Sequence, residues 1–246
     1  MIKVGRVNYL NTLPLFYRWD QKVLLVDGHP SQLVQLLRKG EIQAGIVSSV
    51  EYLINREDYI LVPDVSISSK ERACSVLIFS KRPFEDVESL YLTPASLTSK
   101  WLALYILERA YKRKPKVVED KDKAQAILLI GDEAIKEKLS NKWPYIYDLG
   151  EEWYKLHQLP FVFALFLVRR DAPPWLAEYI KEQCNNSMEE FYRDLSKGKI
   201  QVEGLSKSFL LDYFNSCLVY KLNEKGWSSL EIFNRFLTSL VKQRAS

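Results

Sequence analysis

Four short stretches of this chain group hydroxyl, amide or glycine residues where an anion could be held: Asn11-Thr12, Ser48-Ser49, Ser96-Leu97-Thr98-Ser99 and Gly131-Asp132. Each follows an apolar run of strand character and leads into a stretch of helical spacing. A helix start leaves backbone N–H groups without intrahelical partners and carries the positive end of the helix dipole. Such a place suits a carboxylate or a phosphate. Ser96 to Ser99 is the fullest cradle of the four, and ordinary N-capping is the competing role for the same hydroxyls. Asn11 or Thr12 can cap the helix that Pro14 opens, because proline gives up no needed donor at the first helical position. Glu51, just inside the helix after Ser48-Ser49, reads as a first-turn carboxylate that complements the dipole, with a general-base role as the alternative.

Other chemistries lack their residues. The two histidines are His29, in a turn after Asp27-Gly28, and His157, which reads as a solvated loop position near Leu159-Pro160. There is no glycine-rich dinucleotide loop, no Walker motif, no nucleophile elbow and no His or Cys spacing for a metal. The three cysteines, Cys74, Cys184 and Cys217, are too widely spaced for a zinc site.

Elements must position these stretches, and periodicity supplies them. Strand patterns at 2–7, 22–26 and 44–47 alternate with helical patterns from Pro14 and over 31–39, the latter closed by Gly40. This order implies right-handed βαβ units, so the loops after Val7 and Val47 should share one sheet edge. Residues 61–69 and 76–80 are extended. A second α/β block follows, with strands at 90–93, 117–118, 126–130, 145–149 and 161–170. From Ala172 the pattern is helical, and Ser228-x-x-Glu231 reads as a capping box for a last helix presenting Leu230, Phe233, Leu237 and Val241. The fold class is therefore α/β in two lobes: residues 1–83 with 171–246, and residues 84–170. A ligand would enter the cleft between them.

With 246 residues, 47% hydrophobic and 27% charged, the composition is that of a folded globular protein. A net charge of +4, without basic blocks, gives no case for nucleic acid. The longest apolar run, 161–168, is far short of the about 20 residues a membrane helix needs. No signal-peptide pattern opens the chain, so a cytoplasmic location is expected.

Several segments carry a family resemblance: Arg6 to Leu15, Ser48 to Tyr52, Ser66 to Ser69, Ser75 to Lys81, Leu92 to Ser99 and Leu128 to Ala134. The most specific are Tyr147-Asp148-Leu149-Gly150-Glu151-Glu152-Trp153-Tyr154 and Leu159 to Ala164. Together they resemble the chorismate dehydratase family of the futalosine route to menaquinone. One departure is Lys70-Glu71-Arg72-Ala73-Cys74, where relatives are expected to carry a glycine-containing turn. The resemblance implies a periplasmic-binding-protein type II fold acting as a cytosolic lyase, with no metal and no organic cofactor. Its substrate would be chorismate and its product 3-[(1-carboxyvinyl)oxy]benzoate. Asn11 would then orient the reacting group, with Thr12, Ser48, Ser49, Ser96, Thr98, Ser99, Gly131 and Asp132 as substrate-binding residues. The rival readings are the sister enzyme 1,4-dihydroxy-6-naphthoate synthase and a non-catalytic binder of small carboxylates.

Overall fold

The computed structural model describes residues 1–245, with side chains through residue 240. In chain order its strands and α-helices are β1 (Lys3–Val7), α1 (Leu13–Phe16), β2 (Leu24–Gly28), α2 (Pro30–Lys39), β3 (Ala44–Ser48), α3 (Ser49–Ile54) and β4 (Tyr59–Ser69). There follow β5 (Val76–Ser80), β6 (Ser89–Leu92), α4 (Leu97–Tyr111), β7 (Lys116–Val118), β8 (Ala126–Ile130), α5 (Gly131–Leu139), β9 (Tyr145–Asp148) and α6 (Leu149–His157). The chain closes with β10 (Val162–Arg169), α7 (Leu176–Ser196), α8 (Lys207–Asp212), β11 (Leu218–Val219) and α9 (Glu224–Ala245).

The chain forms two compact units. Unit 1 holds Met1–Ser68 with Phe163–Asn223, and unit 2 holds Ser69–Val162 with the residues from Glu224 onward. In unit 1 the described strands make one sheet in the order β11-β4-β10-β3-β1-β2. Strands β1, β2 and β3 are parallel, as short βαβ units require, and β10 runs antiparallel to β3. Helix α2 seats the fully buried Leu33 and Leu37. A Cβ on Gly5 would stand 2.8 Å from Ile42 Cδ1 and 3.1 Å from Leu33 Cδ2, so glycine lets the helix lie close to β1. The helix stops at Gly40, whose φ of +73° is the left-handed cap that glycine adopts without strain.

In unit 2 the order is β7-β6-β8-β5-β9. Strand β6 is parallel to β7 and β8, whereas β5 is antiparallel to both β8 and β9. This corrects the division expected near residue 83: β5 is buried along its whole length between two strands of the second sheet. The last helix likewise belongs to unit 2. Its Phe233 meets Phe161 edge-on at 5.1 Å and Trp153 at 6.1 Å, and Phe236 meets Tyr105 at 4.9 Å. That helix begins at Glu224, and the Ser228 hydroxyl donates back to the Glu224 carbonyl, so the expected capping box is an interior helical turn. Val241 lies outside the described side chains. No helix among the described residues is long and apolar enough to cross a membrane.

Gly150, in the first turn of α6, is the tightest packing point of unit 2. A Cβ there would sit 2.7 Å from the Ala73 backbone nitrogen and 2.9 Å from Ser69 Cβ. Backbone cannot swing aside as a side-chain tip can. Gly150→Ala should therefore destabilise the protein by about 2 kcal/mol, read as a lowered urea midpoint; an unchanged midpoint would contradict this packing.

Candidate active site

Register decides which loops can cooperate within a unit. In unit 1, Gly5 of β1 lies opposite Gly45 of β3, and Val7 lies opposite Gly28 of β2. The loops beginning at Asn8, His29 and Ser48 therefore leave one edge of the sheet at one height. His29 is the N-cap position of α2, and its Nδ1 lies 3.1 Å from the Tyr9 hydroxyl. Ser48 and Ser49, at the start of α3, are both buried.

The Asn11 loop is a 3-10 turn over Leu10–Thr12 that runs directly into α1. Neither Asn11 nor Thr12 caps with its side chain, which corrects the capping expectation. Thr12 is 3% exposed, and its hydroxyl donates back to the Val7 and Tyr9 carbonyls. Its single proton is committed to the backbone, so Thr12 shapes the turn. Asn11 is the reverse case. Its backbone carbonyl accepts from the Tyr220 hydroxyl at 2.7 Å, while its side-chain Oδ1 is buried with no hydrogen-bond partner among the described residues. Leaving a buried acceptor unpaired costs about 1–3 kcal/mol, so a hydrogen-bond donor brought to this oxygen would be held there.

Glu51 is a buried structural carboxylate held by four donors. Its carboxylate takes two guanidinium bonds from Arg38 at 2.9 and 2.6 Å, one from the Tyr59 hydroxyl at 2.7 Å and one from Asn55 Nδ2 at 3.0 Å. Burial pushes its pKa up, but these donors outweigh burial and hold it below the ordinary glutamate value. It ties α2, α3 and β4 together.

In unit 2, Leu92 of β6 pairs with Leu128 of β8, so the Thr93–Ser99 loop and Gly131 leave at the same edge. Ser96 caps the 15-residue α4: its Oγ accepts from the Ser99 N–H at 3.2 Å and from the Ser99 hydroxyl at 3.1 Å. An oxygen accepting twice turns its own O–H away from both donors. Thr98 and Ser99 are buried. Gly131 takes φ +60°, a conformation that favours glycine, and its N–H donates to the Ser75 carbonyl at 2.7 Å. That N–H is thus engaged within the sheet edge, and Asp132 beside it is exposed. The geometry therefore brings the sequence-selected residues together as two edge clusters, one in each unit.

The Asp148 carboxylate accepts from the backbone N–H groups of Ala73, Cys74, Gly150 and Glu151 at 2.8, 2.6, 2.9 and 3.2 Å. Burial lifts its pKa above the aspartate range against the pull of those four donors. His157 is corrected from a loop to the last residue of α6. Its ring lies 4.2 Å from Trp153, and its Nε2 is 2.9 Å from the Tyr105 hydroxyl. Burial holds its pKa below the ordinary histidine value. No group of three or more His, Cys, Asp or Glu residues among the described residues is placed to hold a metal.

A family model described as menaquinone biosynthesis matches residues 2–239. The chain belongs to this menaquinone-biosynthesis family. A chorismate dehydratase of Thermus thermophilus is 32% identical over 193 residues, covering 70% of this chain and 71% of that protein. Among solved structures, protein AF1704 of Archaeoglobus fulgidus superposes with a TM-score of 0.70 at 16% identity over 97% of each chain. A Candida albicans protein described as having the generic periplasmic binding protein fold gives 0.66 at 11% identity, over 98% of this chain and 89% of that one. These likenesses give the menaquinone-family chain an α/β fold of the periplasmic-binding-protein kind.

Two supports of these loops lie outside the residues the sequence selects. Everything after Ala172 reads as helix, whereas β11 interrupts it and sets Tyr220 beside the Asn11 turn. Asp148 carried a usable signal, since Asp148-x-x-Glu151 has the form of a helix start.

Two measurements test these electrostatics. Glu51→Gln should cost about 1–3 kcal/mol at neutral pH by removing the charge that the half-exposed Arg38 and the buried Tyr59 hydroxyl share. Because the folded pKa is lowered, the wild-type contribution is present above the unfolded glutamate value and fades as pH falls below about 4.3; the variant's acid unfolding should lack that component. His157 is neutral when folded and takes up a proton when unfolded, so stability should decline as pH drops below about 6.5. His157→Phe should flatten the stability slope between about pH 7 and pH 5.

Proposed function

We propose that this chain removes water from chorismate to give 3-[(1-carboxyvinyl)oxy]benzoate, and that Asn11 holds the reacting part of the substrate. Family membership supports the reaction class. The observation that carries the site is the unpaired, buried Oδ1 of Asn11 at the carboxyl end of β1. An amide oxygen only accepts, so its partner must be a donor. The ring hydroxyl of chorismate qualifies, whereas the ether oxygen does not.

The elimination runs in two stages. The ring carbon bearing the enolpyruvyl ether loses its proton, and the electron pair spreads through the adjacent double bond to the ring carboxylate. The pair then returns to the ring as the neighbouring carbon–hydroxyl bond breaks, which makes the ring aromatic. Proton and hydroxide leave together as one water. Charge grows on the ring carboxylate in the first stage, so fixed donors around it stabilise the transition state more than the ground state. Within unit 1 the hydroxyls suited to a carboxylate are those of Ser48 and Ser49, and within unit 2 those of Ser96 and Thr98 at the start of α4, with Ser99 donating its N–H and its O–H to Ser96. The charge of Asp132 opposes a carboxylate, while Thr12 and Gly131 fix the loops that carry their neighbours. The substrate's enolpyruvyl carboxylate is the proton acceptor, a proximity effect, because Glu51 is tied to Arg38, Tyr59 and Asn55 and each histidine has a ring nitrogen on a tyrosine hydroxyl, His29 on Tyr9 and His157 on Tyr105.

Incubating the purified protein with chorismate should produce an aromatic product followed by ultraviolet absorbance. Asn11→Ala and Thr98→Ala should each lower turnover by about 10²–10³-fold. Wild-type turnover in both variants would overturn the site, and binding of chorismate without any product would favour a non-catalytic carboxylate binder.

A further inference from the structure

Asn11 can orient a hydroxyl only if its own peptide is held still, and Pro14, three positions on, has no N–H to close a 3-10 bond on its carbonyl. The partner comes from residue 220. The Tyr220 hydroxyl donates to the Asn11 carbonyl at 2.7 Å across 209 positions of sequence. Tyr220 is 4% exposed and follows directly on β11. Its backbone is anchored in turn: its carbonyl accepts the Ser66 N–H at 2.8 Å, and Leu222 N–H donates to the Asp64 carbonyl at 3.3 Å. Ser66 is fully buried in β4. The phenol is therefore a rigid strut running from the sheet to one peptide oxygen.

We propose that Tyr220 is a positioning residue for the dehydration, its buried hydroxyl fixing the Asn11 peptide and with it the direction of the Asn11 amide. This rests on the assignment of Asn11 made above. The Asn11 side chain branches from the Cα next to the carbonyl that Tyr220 holds, so a shift of that Cα on loss of the bond carries Oδ1 with it. The Thr12 N–H, the other end of the same peptide plane, donates to the Tyr9 carbonyl at 3.0 Å, so the turn holds this peptide at its nitrogen and Tyr220 holds it at its oxygen. Burial also holds the Tyr220 phenol well above the ordinary tyrosine value, so it stays a donor throughout the working pH range.

The test is a kinetic cycle on the full chain with chorismate as substrate. Tyr220→Phe keeps the ring and removes the hydroxyl; it should lower kcat by about 10–100-fold while KM moves little, the signature of lost alignment. In the Asn11→Ala background, Tyr220→Phe should change kcat by less than about twofold, because a strut has nothing left to aim. Far-ultraviolet circular dichroism at the assay temperature confirms that both variants are folded. Wild-type kcat in Tyr220→Phe would overturn the proposal, and so would independent multiplication of the two effects, which a merely structural role predicts. Full turnover in Asn11→Ala alone would instead sink the Asn11 assignment, a separate failure read from a separate variant.

Discussion

Parallel strands joined by helices must release their carboxyl ends along a single edge of the sheet, and the chemistry-bearing groups of this chain follow from that constraint. β1 and β3 meet at Gly5 and Gly45, so Asn11 and Ser48 leave the first sheet together. β6 and β8 do the same for Ser96 and Gly131 in the second. The antiparallel strands β5 and β10 bring the chain in from the opposite direction, which places the residues just before them, Ser75 among them, at those same edges. Loop composition alone would not achieve this.

A sheet edge also strands polar groups, and the molecule answers each with a dedicated partner. Asp148 gathers four backbone N–H groups, Glu51 gathers Arg38, Tyr59 and Asn55, and Ser96 closes on Ser99. Carboxylates bound by four donors each hold elements together. Against that background the unpaired Asn11 Oδ1 stands out, because its neighbours in the turn are fully provided for. The two other orphaned atoms among the described residues, Trp153 Nε1 and Ser229 Oγ, lie on helices α6 and α9 of unit 2.

Local signals were legible. Gly40 closes α2 as its position promised, Ser96 caps α4, and the four polar loops fall at strand ends. What failed was non-local. Nothing in Val76–Ser80 announces that its partners are β8 and β9, more than about 45 positions on, so the expected boundary fell about 15 residues late. Ser228-x-x-Glu231 matched a helix start although the helix was already one turn old, because a serine inside a helix can bond back to the carbonyl four residues before it. The same blindness hid Tyr220, whose partner lies 209 positions away, and His157, whose packing partners Tyr105 and Trp153 come from two helices.

The assignment of α9 to unit 2 sets an order for biosynthesis. Unit 1 has its sheet strands and α7 and α8 once Asn223 has left the ribosome, whereas unit 2 still lacks the helix that covers Trp153, Phe161 and Tyr105. A nascent chain paused before residue 224 would therefore hold an aromatic surface open to water, the state in which a folding intermediate is most exposed to aggregation and chaperone capture. The segment made second in sequence is thus the last to mature.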